Sequence, residues 1–400
     1  MKPRMSVESI VKECRIVKSG KNRLISLLFL AVLFASMLPV NIYAQFETSA
    51  SSAILVEAST GQVLYEKNSD VPMPPASITK VMTLLLGFEA ISKGDAKWDD
   101  LVNVSENAWR MEGSKMFLEL GSKVPYRDII KGISIVSAND GCVALAEHLS
   151  GSEKAFVALM NQRAKELGMT NSTFKNCTGL PEEGHVLSAK DIATLSLYLV
   201  QNYPEILEIE STKEFTFNNI RQFNRNPLLG VYEGADGLKT GWTEEAGYCL
   251  VATAKQNDIR LIAVILNTRS ENERKTAAQE LLTYGFKNFK LLEYKKAGEI
   301  VDSMEVNNGK KPSVQLKLDN DIKIIVPVTR INDLQTVISK DSQSIKAPVS
   351  ADVSMGKLEV KLDGQTLASS SISITESIEK AGFFKRLLNG ILNIFKSFKK

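Results

Sequence analysis

The apolar and polar positions divide the chain into stretches of different period. Residues 53–64 alternate around Gly61, with Ala53-Ile54-Leu55-Val56 before it and Gln62-Val63-Leu64-Tyr65 after it, and predict a hairpin. Pro74-Pro75 then punctuates the chain. From 77 to 91 the apolar side chains Val81, Leu84, Leu85 and Phe88 recur at helical spacing. Prolines suit the approach to a helix, whose first turn leaves its N–H groups unpaired in any case. The same period predicts helices over 126–133, 142–149, 153–167, 189–200 and 272–286, and two apolar strands over 247–254 and 259–266. After about residue 288 alternation takes over: Val314, Leu316 and Leu318, then Ile322, Ile324 and Val326, then a hairpin turning at Asp363-Gly364. Residues 291–374 therefore read as a small β-rich domain with no catalytic cluster of its own.

Both ends carry a different signal. A basic stretch over 2–23 precedes an apolar run over 24–40, and Tyr43-Ala44 offers a small residue before Gln45. This is the layout of a secretory signal peptide cleaved near Ala44; the alternative is an uncleaved anchor, although the run is short for a span of ~20 residues. At the other end Phe383, Phe384, Leu387, Leu388, Ile391, Leu392, Phe395 and Phe398 share one helical face, while Lys380, Lys385, Arg386, Lys396, Lys399 and Lys400 lie mainly on the other. Charge interrupts the run too often for a span. A basic amphipathic helix over 378–400 suits the plane of an anionic membrane surface, or else docks on its own protein. The chain thus divides into a signal peptide (1–44), a main domain (45–288), a β-rich domain (289–376) and an amphipathic helix (377–400).

Charge adds little once the leader is set aside. The whole chain has 49 basic and 46 acidic side chains, but residues 1–44 hold seven basic and two acidic ones, so the remainder carries a net charge of −2. No nucleic-acid footprint remains. Cys142, Cys177 and Cys249 lie beyond the leader, an odd number; Cys142 and Cys249 sit in apolar runs, which favours buried free thiols over a disulfide framework. With two histidines, His148 and His185, and no His-Glu-x-x-His, a zinc peptidase is excluded and no metal or cofactor site is expected.

Three short motifs carry the chemistry. Ser77-Ile78-Thr79-Lys80, Ser137-Ala138-Asn139 and Lys239-Thr240-Gly241 occur in the order that specifies a serine acyl-transfer site. Singly they are weak: Ser-x-x-Lys recurs at Ser9, Ser172, Ser354, Ser377 and Ser397, and Ser-x-Asn at Ser105 and Ser270, whereas Lys-Thr-Gly occurs once. A serine hydroxyl needs a base to take its proton, and residues three apart share a helical face, so Ser77 and Lys80 can meet. As a base Lys80 must be neutral, which requires burial or a neighbouring cation such as Lys239. Ser137 can relay a proton to the leaving amine and Asn139 can hold a substrate amide. Lys239 and Thr240 together suit a carboxylate, and Gly241 lets a substrate backbone approach. The backbone N–H groups of Ser77 and Trp242 can form an oxyanion hole. Without that chemistry these motifs read as a helix start, a helix cap and a loop leading into a strand.

With those residues in place the chain resembles the low-molecular-mass penicillin-binding proteins of the D-alanyl-D-alanine carboxypeptidase family. The likeness runs through residues 75–83, 137–147 and 236–243, with further segments at 174–180 and 188–191. Cys177 and Trp242 depart from the commoner family residues. The resemblance implies a β-lactamase/transpeptidase-like α/β (α+β) fold, a central antiparallel sheet flanked by helices, followed by a small all-β domain and an amphipathic helix. It implies that Ser77 attacks the terminal D-Ala-D-Ala carbonyl of peptidoglycan stem pentapeptides, that β-lactams acylate the same serine, and that the chain acts on the outer face of the cytoplasmic membrane. Three other readings stand beside it: a class A-like β-lactamase, a D,D-endopeptidase and a silent wall-binding protein. The first needs a Glu-x-x-x-Asn pattern, and the nearest candidate, Glu166 to Asn171, has one residue too many.

Overall fold

The computed structural model describes residues 46–382. The first hairpin and the two late apolar strands meet in one antiparallel sheet. Its strands are β1 (Ser52–Glu57), β2 (Val63–Lys67), β3 (Ala235–Thr243), β4 (Gly247–Gln256) and β5 (Ile259–Thr268), in the order β2-β1-β5-β4-β3. β1, β4 and β5 are buried along most of their length, so they read as continuous apolar runs rather than as alternation. β3 forms an edge.

The longer helices are α1 (Lys80–Lys93), α2 (Tyr126–Val136), α3 (Asn139–Ser150), α4 (Glu153–Glu166), α5 (Ala189–Asn202) and α6 (Glu271–Asn288). Every residue of α1 from Lys80 to Ala90 is buried, as expected of a helix enclosed by others. Serines start α4, α5 and α6, where the hydroxyls of Ser152, Ser188 and Ser270 accept from the backbone N–H groups of Ala155, Asp191 and Glu273.

The β-rich region has its own core around Leu316, Ile324, Leu358 and Ile372. Strands Phe289–Lys295 and Ile322–Pro327 pair with each other, and a six-stranded sheet occupies residues 300–374. Its last hairpin turns at Asp363-Gly364, with Leu362 facing Gln365. The Ile325 N–H donates to Gln62 Oε1 at 2.8 Å, joining this region to the β1–β2 turn.

Several local expectations need correction. Ser77 lies in a tight 3-10 turn, Ala76–Thr79, which precedes α1 rather than belonging to it. The Lys239-Thr240-Gly241 motif sits inside β3, not in a loop ahead of a strand. The 378–400 helix does not begin at 378. Ile378 and Val349 exchange backbone hydrogen bonds, the Ala381 N–H donates to Asn308 O, and Ile378 is buried in the β-region core. An apolar residue at the start of that segment is satisfied by the sheet before a helix can claim it. The face beginning at Phe383, and the proposed leader, lie outside the described residues.

Candidate active site

Ser77 is presented by a turn whose backbone is held from several sides. Ala76 has a left-handed φ of 47°, a conformation that costs a non-glycine residue about 1–3 kcal/mol and persists only when its surroundings enforce it. The Thr79 hydroxyl donates to Ala76 O at 2.9 Å. His185 Nε2 stands 3.0 Å from the same hydroxyl. Since that hydroxyl's one proton goes to Ala76 O, Nε2–H must be the donor. Burial pushes the His185 imidazole down to about 4, so the ring is neutral here. Gly179 closes the turn from the other side, in a loop ordered by Asn176, whose Oδ1 accepts from Gly179 N at 2.7 Å and from the Thr178 N–H and hydroxyl.

Lys80 is completely buried. Its Nζ donates to Ser77 Oγ at 2.8 Å and to Thr178 O at 2.5 Å. Burial drives its ammonium below the ordinary lysine range. The Cys142 and Cys177 thiols and Asp140 oppose that shift, and Arg225 adds to it. In the neutral amine the contact reverses and the Ser77 O–H donates, which is the geometry a general base needs.

Ser137 caps α2 with a left-handed φ of 62°, and its buried Oγ has no hydrogen-bond partner among the described residues. Asn139 opens α3 but does not cap it: its Nδ2 donates to Glu112 O at 2.7 Å, leaving Oδ1 and one amide hydrogen for a ligand. Asp140 turns away to accept from Met116 N and Leu118 N, so it braces the 112–118 loop that carries the Asn139 partner.

On β3, Lys239 and Thr240 are buried. Burial, then the charge of Lys80, push the Lys239 ammonium down, while Glu210 draws it back up. Gly241 lies against the nucleophile turn: a Cβ there would stand 3.1 Å from Ser77 N and 3.1 Å from Pro75 O. This contact places the edge strand beside the Ser77 amide, as an oxyanion hole shared with Trp242 requires. The Trp242 side chain is half exposed and packs near Tyr248, with ring centroids 5.9 Å apart.

Ser77, Ser137, Asn139, Thr240, Gly241 and Trp242 line one cleft of about 990 Å³. Lys80 and Lys239 lie beneath it. Glu166 does not line it; that side chain pairs with Arg163 at the end of α4. Arg225 and Arg274, which the sequence reading did not single out, also line the cleft. Arg274 donates to Gly241 O at 3.4 Å and to Glu271 at 3.1 Å. Neither arginine falls in a motif with periodic or spacing signal. The 174–180 segment was flagged only by resemblance, without the role its carbonyls and Gly179 take.

The chain is similar to known proteins along most of its length. Residues 40–270 match the family described as D-alanyl-D-alanine carboxypeptidase, and residues 286–380 match the penicillin-binding protein 5 C-terminal domain. D-alanyl-D-alanine carboxypeptidase DacF of Bacillus subtilis is 41% identical over 340 residues, covering 84% of this chain and 87% of that one. The solved penicillin-binding protein 5 of Haemophilus influenzae is 34% identical, covers 84% of this chain and 99% of its own, and superposes with a TM-score of 0.77. The ampicillin-bound penicillin-binding protein D2 of Listeria monocytogenes is 33% identical over 60% of this chain and 98% of its own, with a TM-score of 0.56.

Proposed function

The chain belongs to the D-alanyl-D-alanine carboxypeptidase family, and on that premise we propose how its residues divide the work. It is a serine peptidase that removes the terminal D-alanine from peptidoglycan stem peptides and is acylated by β-lactams. Ser77 Oγ attacks the carbonyl carbon between the two D-alanines while neutral Lys80 takes its proton. The carbonyl oxygen becomes an oxyanion between the N–H groups of Ser77 and Trp242. Such donors are worth about 10²–10³ in rate. Ser137 relays the proton now held by Lys80 to the departing D-alanine amine, leaving an acyl ester on Ser77 and a neutral Lys80. Water then hydrolyses the ester and the serine proton returns.

Lys239, Thr240 and Arg274 receive the substrate's terminal carboxylate, and Asn139 holds the amide of the preceding residue. The observation that carries this reading is the pair of contacts from one buried amine, Lys80 Nζ, to Ser77 Oγ and Thr178 O. They leave it a base aimed at the nucleophile. Intact-mass measurement after benzylpenicillin should show one adduct on the wild type and none on Ser77→Ala; equal labelling of both would overturn the assignment. A long-lived adduct separates this enzyme from a β-lactamase, and free D-alanine released from a pentapeptide separates it from an endopeptidase.

The chain is exported and sits peripherally on the outer face of the cytoplasmic membrane. The basic-apolar leader and the terminal amphipathic face support this placement. Among the described residues no helix is long and apolar enough to cross a membrane. Deleting 383–400 should move the protein from the membrane fraction to the soluble one without changing its penicillin labelling. A truncated protein that stays on membranes would transfer the anchoring role to the leader.

A further inference from the structure

We propose that Glu210 is a positioning residue for the reaction, the buried counter-charge that keeps the Lys239 ammonium in place beneath the cleft. The inference rests on the reading of Lys239 as part of the carboxylate receptor. Glu210 ends a short helix, Ile206–Glu210, that packs on β3 and on α2. It is 1% exposed, and its Oε1 has no hydrogen-bond partner among the described residues. A carboxyl group buried in this way is costly unless a charge nearby compensates it. A Cβ on Gly237, two residues before Lys239, would stand 3.6 Å from Glu210 Cβ, so the acid lies directly under the motif strand.

Two elements face Glu210 with polar groups. From β3 comes Lys239, and from α2 comes Ser134, whose hydroxyl favours the ionised acid without completing a hydrogen bond of good geometry. Ser134 is one turn before Ser137 on the same helix. Burial outweighs the pull of Lys239 and Ser134 and pushes the Glu210 carboxyl up to about 8, so its ionised form is held only beside a protonated Lys239. Lys239 is faced by Lys80 from α1, Glu210, Arg225 and the Cys142 thiol from α3. Glu210 is the carboxylate in that set. Lys80 and Arg225 both oppose a second ammonium, so the cation that the receptor requires depends on the acid behind it.

Glu210 and Lys239 interact through space rather than as a contact ion pair. The residues flanking Arg225 are anchored nearby: the Asn224 Nδ2 donates to the Glu210 backbone carbonyl at 2.9 Å, and the Asn226 Nδ2 donates to Gly237 O at 3.0 Å.

Glu210→Gln keeps the volume and removes the charge. Lys239 then loses its proton at lower pH. The alkaline limb of benzylpenicillin acylation should move down by about one pH unit, which lowers efficiency roughly tenfold on that limb. The loss should appear in the saturation constant more than in the limiting rate. Glu210→Asp should recover part of both. A folded Glu210→Gln protein with the wild-type pH profile and saturation constant would overturn the proposal. Ser77 would still be labelled in that case, so the assignment of the nucleophile would survive. If Glu210→Gln fails to fold, the Glu210→Gln/Lys239→Gln double variant decides. Recovery of folded protein supports the pairing, and continued failure overturns it.

Discussion

Lys80→Met is expected to lower the rate of benzylpenicillin acylation by about 10²–10⁴-fold, the range supplied by a positioned general base, while leaving the fold in place. Methionine matches the length of the lysine stem and removes a charge from a fully buried site. The cost is a Thr178 carbonyl without its donor, of order 1–3 kcal/mol; relief of ammonium desolvation offsets it. The pH profile makes the test specific. In the wild type Lys80 acts only when neutral, so the rate rises with pH as the amine loses its proton, and burial places that rise below the ordinary lysine value. The variant should lack this limb.

Stability follows the same linkage. Between the folded and unfolded pKa values the unfolded chain binds more protons, so stability rises with pH across that window. Lys80→Met should abolish that rise. Acylation rates across the neutral and alkaline range, with thermal unfolding of both proteins, check the two statements. An unchanged rate would remove Lys80 from the mechanism.

Gly179→Ala should cost roughly 2–5 kcal/mol of stability, combining left-handed backbone strain with overpacking, and should slow acylation by about 10²-fold, the usual penalty for a misplacement of ~1 Å. Gly179 has a φ of 84°, and an added Cβ would stand 1.8 Å from Ala76 O and 2.8 Å from Thr79 Oγ1. Ala76 O already accepts from Thr79, so the collision is with the backbone of the nucleophile turn and not with a side chain that can swing away. Gly184→Ala is the control. Its φ is 77°, but its nearest neighbour is the flexible end of Lys175 at 3.2 Å. That variant should lose stability through backbone strain alone and acylate normally. If both variants acylate like the wild type, the 176–180 loop does not hold the turn.

Much of this site was legible before any coordinates. Ser77, Lys80, Ser137, Asn139, Lys239, Thr240 and Gly241 were identifiable by motif order, and the structure brings them together in and beneath one cleft. The strand carrying Lys239 was harder to read, because two buried polar residues break the apolar run that marks its neighbours β4 and β5. Arg225, Arg274 and Glu210 gave no signal. Each lies far along the chain from Ser77, in a loop, at a helix start or at the end of a five-residue helix, where neither period nor spacing speaks. His185 belongs to none of the three motifs, yet its ring bonds the residue that fixes the Ser77 turn.

Local sequence settled most of the long elements and the chemical groups. Helix and strand periods follow from which side chains must leave water, and the three motifs supply a hydroxyl, amines and an amide whatever surrounds them. Protonation was decided only by the tertiary structure. Whether Lys80 is a base and Lys239 a cation depends on burial and on charges from α1, α3, the 206–210 helix and the 224–226 loop. Desolvation and Coulomb energies are set by distance in space, and separation along the chain carries no information about that distance.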